Sequence, residues 1–461
     1  MEVMGLFDGL TSAVSGLQAQ AFAMQNISGN IANSQTIAYK GIDTTFSDLI
    51  PGDSVPTKQV AGGVTANSVA TNTTQGSIQA ASSGTDMAIN GDGYFVVQSP
   101  TSYSGNSPIF GGVSSYTRRG DFQLDSNGYL VNGAGYYLEG IPVDPTTGNP
   151  SGSVAAPLQF QSNFLPATAT TQVTYGINLP ATPYTTNYSS SVANSELLNP
   201  ADFGTDPTVA GTGTVVGSDV TTFVSESIDG GTSTVYDATG TPANLQLRWA
   251  KVDSVAAGGT DTWELFYQTN SSATGATVAW QNVGTDFTFN TSGQLSPSIT
   301  SLNLSGVSID GLSLGNITLK SSAGSITQYA STSGVATVND MQQNGYPAGQ
   351  LQAIQASDTG TITGTFSNGQ NVSLAEIPLV HFNSPNNLKS LDGGAYQETV
   401  ASGAALSGAS GKIVGQSLEG SNTDIATEFT KLIVTQQAYS ANTKVITTTN
   451  QMSQDLLNVV R

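Results

Sequence analysis

Hydrophobic and polar positions change their period twice along the chain. Residues 1–40 contain no proline, and Leu10, Leu17, Met24 and Ile31 fall seven apart, with Val14 between the first two. That spacing predicts one amphipathic helix carrying a continuous apolar seam. The other end repeats the pattern: Pro385 is the last proline, and beyond Asn422 the residues Phe429, Leu432, Tyr439, Ile446, Met452, Leu456 and Val459 recur at roughly helical spacing. A second amphipathic helix is predicted there. Asn422 or Thr423 suits its first turn by accepting orphan amides, and Asp424 and Glu428 place negative charge at its N-terminus. Between the two ends the pattern shortens to β-branched and aromatic runs cut by Gly, Asn-Gly and Asp-Gly, which predicts strands and turns. Asn127-Gly128, set between Phe122-Gln123-Leu124 and Tyr129-Leu130-Val131, predicts a hairpin, and Asn132-Gly133 another tight turn.

The expected fold is therefore mainly β and multi-domain, with N- and C-terminal α-helices pairing as a coiled-coil-like inner domain. Strong alternation in Leu245–Trp249 and Trp263–Tyr267 places a separate outer β domain at residues 171–332. It would be inserted into an inner β domain made of residues 72–170 and 333–400, which requires the ends of the insertion to lie close together. Residues 1–71 and 401–461 supply the terminal helices and their connecting segments. Neither helix has another long helix to cover its seam, so each must pair with the other or with copies of the same chain. Isolated helices of this kind are marginal in water, and ordering of both ends is expected on assembly.

Composition narrows the function classes. The 461 residues hold 12 Lys+Arg against 32 Asp+Glu, a formal net charge of −20, so there is no basic patch for a nucleic-acid backbone. No stretch approaches the roughly 20 apolar residues that span a bilayer, and no basic region precedes the first apolar residues, so neither membrane insertion nor a cleavable signal is expected. The absence of cysteine removes disulfides, thiolate metal sites and cysteine nucleophiles. The 52 glycines, with abundant Ser, Thr and Asn, favour short strands and turns.

Candidate chemistry is sparse. His381 is the only histidine, and no nucleophile elbow accompanies it, so a structural histidine is expected. Asp125-Ser126-Asn127-Gly128 opens like a calcium loop, yet Tyr136 stands where the bidentate Glu belongs, which favours a turn. No catalytic, cofactor or metal site is predicted, and the chain is not expected to be an enzyme. Arg118 and Arg119, the only adjacent basic pair, are either a contact to acidic residues of a neighbouring subunit or a surface pair beside the hairpin. Trp249, Trp263, Trp280 and Tyr267 fit either a β core or the stacking surface of a secreted carbohydrate-binding or adhesive protein.

Several of these segments resemble one family. Ala32-Asn33-Ser34-Gln35-Thr36-Ile37-Ala38-Tyr39-Lys40 is similar to the signature that closes the first helix of bacterial flagellar rod and hook proteins, in which Ala32, Asn33, Thr36, Tyr39 and Lys40 match and Ala38 replaces the usual glycine. If that position requires φ > 0, alanine is strained there. Gly91–Val97 and Tyr116–Tyr129 resemble the family's core β domain, and Leu418–Asp424 with Gln436–Asn442 its closing helix. Thr174–Pro180, Val235–Gly240 and Thr327–Ala330 resemble segments of the hook type's extra outer domain, and Gly364–Gln370 the return into its inner β domain, which favours hook over distal rod. The resemblance implies an extracellular flagellar subunit, at the hook of the basal body, that polymerises with itself into a curved, flexible tube transmitting torque from rod to filament. It also implies export through the flagellar type III apparatus, and as partners the distal rod, the hook cap, the hook–filament junction and the hook-length control proteins.

Overall fold

A computed structural model describes residues 2–49, 62–160 and 164–459. Three α-helices lie among them: α1 (Glu2–Ala32), α2 (Val220–Glu226) and α3 (Ile425–Val459). Strands make up most of the remainder, and the chain divides into two compact units.

The first unit comprises residues 1–163, 351–366 and 370–461. Its central hairpin joins Tyr94–Ser104 to Ser107–Thr117, antiparallel, from Phe95↔Thr117 out to Ser104↔Ser107. The unbroken apolar run Tyr94–Val97 is what makes this strand central. Phe95 and Val97 enter a core with Met87, Ile89, Phe122, Leu130, Leu138, Ile362 and Ile413, while Tyr94 and Val96 enter a second cluster with Tyr116, Phe382 and Tyr396. A strand buried on both faces reads as a continuous apolar run, as this one does. The predicted hairpin forms, with Phe122–Leu124 paired to Leu130–Asn132 and Gly128 at φ +82°. The Asp125 carboxylate caps its turn by accepting from the amides of Asn127 at 2.9 Å and Tyr129 at 2.8 Å, the hydrogen bonding of a turn.

The second unit, residues 164–350 with 367–369, stacks two five-stranded sheets. In one, Gln172–Asn178 runs parallel to Leu312–Lys320 and antiparallel to Thr337–Gln343. Residues 337–343, expected in the inner β domain, thus pair within this unit, because the exposed edge of Gln172–Asn178 needs a partner for its backbone groups. The other sheet is antiparallel throughout, in the order Thr214–Val216, Val278–Thr288, Thr262–Gln268, Pro242–Asp253, Ile228–Tyr236. The ends of the unit meet where Phe164 pairs with Gln350 and Leu165 with Gly349. Trp249 and Trp263 are fully buried in the core between the sheets, and Trp280 is buried on the outer face of the second sheet with Phe223 and Phe266. Buried indoles do not stack on sugars. Tyr175 and Trp249 satisfy each other instead: the indole donates to the hydroxyl at 2.9 Å, and the hydroxyl donates to Gly230 O at 2.7 Å.

Candidate assembly site at the helix junction

α1 and α3 pack on each other. The buried positions of α1 are Ala13, Gly16, Ala19, Ala23, Ile27 and Asn30, spaced three and four apart. On α3 the matching stripe is Glu428, Leu432, Thr435, Ala438, Asn442 and Ile446, buried or half-buried. Small side chains on α1 bring the two backbones close: a Cβ added at Gly16 would lie 2.8 Å from Asn442 Nδ2. The heptad seam read from sequence is therefore corrected. Leu10, Leu17, Met24 and Ile31 are only half-buried and Val14 is 39% exposed. On α3, Leu432 and Ile446 join the interface, whereas Phe429 is 49%, Tyr439 38% and Met452 56% exposed. The side chains of Leu456 and Val459 lie outside the described residues. Apart from Ile27, Leu432 and Ile446, bulky residues flank the helix pair and small ones form it, because alanine and glycine permit the closest approach.

α1 ends in a turn that the motif residues build. Ala32 is its last residue, and Asn33 folds back to donate to Gly29 O at 2.9 Å while Thr36 Oγ1 donates to Asn33 Oδ1 at 3.2 Å. Ala38 follows at φ +56°, buried, its amide donating to Glu419 O at 2.8 Å. The left-handed conformation that glycine takes without strain is thus held here by alanine. Tyr39 is half-buried, its hydroxyl 3.4 Å from Asn30 Oδ1, and burial pushes its pKa up.

Lys40 enters a buried ion cluster. Its ammonium lies 2.5 Å from Glu419 Oε1 and donates to Thr74 O at 2.7 Å, and the same carboxylate oxygen accepts from Gly76 N at 2.8 Å. Arg118 approaches the other oxygen at 3.4 Å, donates to Gly91 O at 2.7 Å and stacks 5.4 Å over the Tyr94 ring. All three charged side chains are buried. Burial lowers the Lys40 pKa, and the Glu419 charge opposes that shift without reversing it. Burial also pushes the Tyr94 hydroxyl up to about 12. Arg118 is thus spent inside its own chain, and Arg119 pairs with Asp121 at 2.8 Å, so neither guanidinium is a free surface charge.

The start of α3 completes the junction. Asp424, not Asn422 or Thr423, caps the helix, accepting from Thr427 N at 2.7 Å. Asn422 is drawn away: it accepts from Gly41 N at 2.7 Å and donates to Thr71 Oγ1 at 2.9 Å. Asn30, buried in α1, donates to Glu428 Oε2 at 3.1 Å and accepts from Ile42 N at 2.9 Å. Lys431 bridges Glu428 at 2.8 Å and Asp43 at 2.9 Å. The sequence assigns no role to Glu419 or Asn30, and to Asn422 only that of a helix cap. Glu419 carries one signal, since a charged residue flanked by apolar or small ones is unusual in a chain with 10% charged residues.

The junction joins the motif after α1, the strand at Tyr94, Arg118 and the segment leading into α3, and these segments have known counterparts. Residues 88–193 match the family model of the flagellar hook protein FlgE/F/G D1 domain, residues 225–346 that of the flagellar basal body protein FlaE D2 domain, and residues 414–459 that of the flagellar basal body rod FlgEFG protein C-terminal. The flagellar hook protein FlgE of Brucella suis biovar 1 (strain 1330) is 30% identical over 99% of this chain and 100% of its own length. The chain belongs to the flagellar hook protein FlgE family. The hook protein FlgE of Salmonella typhimurium (strain LT2) is 30% identical over 97% of this chain and 99% of its own, and that of Caulobacter vibrioides 28% identical over 99% and 100%. The crystal structure of Helicobacter pylori flagellar hook protein FlgE2 aligns at 16% identity and a TM-score of 0.47, over 73% of this chain and 98% of that one. In this member of the hook family, Tyr94 and Arg118 lie in the D1 match and Glu419 with all of α3 in the C-terminal match. The ion cluster ties both to Lys40 at the end of the N-terminal helix motif.

Proposed function

We infer that the chain is a structural subunit of the flagellar hook that polymerises through the apolar flanks of its terminal helices into a bendable tube. The observation that carries this reading is the exposure of Phe429, Ile433, Val434, Val445 and Met452 on a helix whose own partner is already in place. Burying such side chains against neighbouring copies gains about 25 cal/mol per Å² of apolar surface. The site residues named from sequence, Leu10, Val14, Leu17, Met24, Ile31, Phe429, Tyr439 and Met452, then act between subunits rather than within one. The family supports self-polymerisation outside the cell as part of the flagellum. The finer partners we propose are the distal rod, cap, junction and length-control proteins and the type III export apparatus.

Electron microscopy of the full chain under salting-out conditions tests the reading. Wild type is expected to form curved or bendable tubes, and the double variant Phe429→Ser, Ile433→Ser to remain monomeric with unchanged helical circular dichroism. Tubes from the double variant would remove the proposed interface. Straight, rigid tubes from wild type would favour a rod subunit.

A further inference from the structure

In the second unit, Glu264 is a buried carboxyl whose charged neighbours are acidic. Glu264 lies mid-strand in Thr262–Gln268, 3% exposed, on the sheet face that carries Phe266 and Trp280 rather than the face that enters the inter-sheet core. Its backbone partners are Ala250 on one side and Asp286 on the other. Asn282, on the adjacent strand, donates to Glu264 Oε2 at 2.8 Å and, with the same amide group, to Pro207 O at 2.9 Å. Pro207 belongs to the loop 205–213, which covers this part of the sheet.

That loop is fastened mainly through Asn282 and its neighbour. Asn282 N donates to Gly213 O at 2.9 Å, Gln281 Nε2 donates to the same oxygen at 3.2 Å, and Asn282 Oδ1 accepts from Gly284 N at 2.7 Å. The loop also rests on Gly284, at φ +80°, where an added Cβ would lie 2.6 Å from Gly211 Cα. The charged groups around Glu264 are acidic: Asp286 on the neighbouring strand and Asp206 in the loop itself. From the strand on the other side, Lys251 is spent on Ala181 O and Asp261, and Arg248 on Val224 O and Ser227. Glu226 of α2, the unit's other buried glutamate, is held by Asn187 and Asn199 N.

We propose that residues 205–213 form a flap over the outer sheet face that stays shut while Glu264 carries a proton and loosens when Glu264 ionises. In the closed state an ionised Glu264 would sit out of water between two other carboxylates, so closure and proton retention are linked. Burial, reinforced by Asp286 and Asp206 and only partly opposed by Asn282, pushes its pKa up to about 8. In the open state water solvates the carboxylate and the proton leaves to solvent at the ordinary carboxylate range. The closed state therefore binds one more proton than the open state between those limits, and closure weakens as pH rises through them. The device is independent of how subunits assemble.

Hydrogen exchange of the Asn282 amide in the full chain, corrected for intrinsic base catalysis, tests this from pH 5 to 9. Linkage of one proton makes the opening constant rise about tenfold per pH unit up to about pH 8 and then level off. Glu264→Gln keeps the shape and the Asn282 bond and is expected to flatten the profile. Identical profiles in the two proteins, or a flat wild-type profile, would overturn the proposal. Infrared spectroscopy gives a check on wild type that does not depend on the variant folding. A protonated carboxyl band present at pH 7 and lost by pH 9 supports the flap, and its absence at pH 7 refutes it.

Discussion

The helix pair and the second unit use apolar residues in opposite ways. In the second unit Trp249, Trp263, Leu247 and Phe287 are all at or below 1% exposure, so its largest side chains are spent on its own core. Along α3 most of the larger apolar residues remain outside, with Ile433 at 55% and Val434 at 60% exposure, while the helix contact is made largely of alanine, glycine, threonine and asparagine, joined by Ile27, Leu432 and Ile446. One region completes its core within the chain. The other fixes its geometry with small side chains and one polar junction, and keeps its hydrophobic surface in reserve. A position's contribution to monomer stability therefore does not predict its contribution to assembly.

Substitutions break this comparison most sharply at the junction. Glu419→Ala strands Lys40 and Arg118 as buried, uncompensated cations, and a loss of about 3–5 kcal/mol is expected in denaturant unfolding followed by far-ultraviolet circular dichroism. Leu247→Ala, in the packed core of the second unit, is expected to cost about 2–5 kcal/mol in a transition followed by tryptophan fluorescence, with helix content unchanged below that transition. If Glu419→Ala cost less than Leu247→Ala, the junction would be the weaker fastening of the two. Gly16→Val overpacks the contact with Asn442 and is expected to destabilise the helix pair by about 1–3 kcal/mol, seen as loss of helical signal at lower temperature.

Smaller effects sharpen the distinction. Ala38→Gly relieves a left-handed alanine, and a gain of about 1 kcal/mol is expected from the shift in denaturation midpoint. Ile433→Ser leaves the monomer within about 0.5 kcal/mol of wild type, as an exposed substitution should, while reducing the amount of polymer sedimented under salting-out conditions. A large monomer destabilisation by Ile433→Ser would show that α3 uses that face within its own subunit.

Local features were legible because local physics decides them. Asn127-Gly128 specified its hairpin, and the continuous apolar run Tyr94–Val97 fits a strand buried on both faces. Helix existence at both ends followed from periodicity, but the paired face did not, since the large residues at Leu10, Leu17, Met24 and Ile31 outweigh Ala13, Gly16, Ala19 and Ala23 in any apolar pattern. Three consecutive residues, Asn422, Thr423 and Asp424, were all competent to cap α3. Only the positions of Gly41 and Thr71 show why Asn422 is engaged elsewhere and Asp424 takes the cap.

The sequence by itself determined two amphipathic ends, a β-rich interior and the motifs that carry the hook-family likeness, because each depends on residues within a few positions of one another. Tertiary structure alone decided that Lys40, Arg118 and Glu419 share one buried cluster, that all three tryptophans are buried, and that Glu264 meets Asp206 and Asp286 under a loop. These groups lie far apart along the chain, and no spacing rule links them. Their partners are set by how strands register and helices dock, and desolvation then makes each pairing, or its absence, matter energetically.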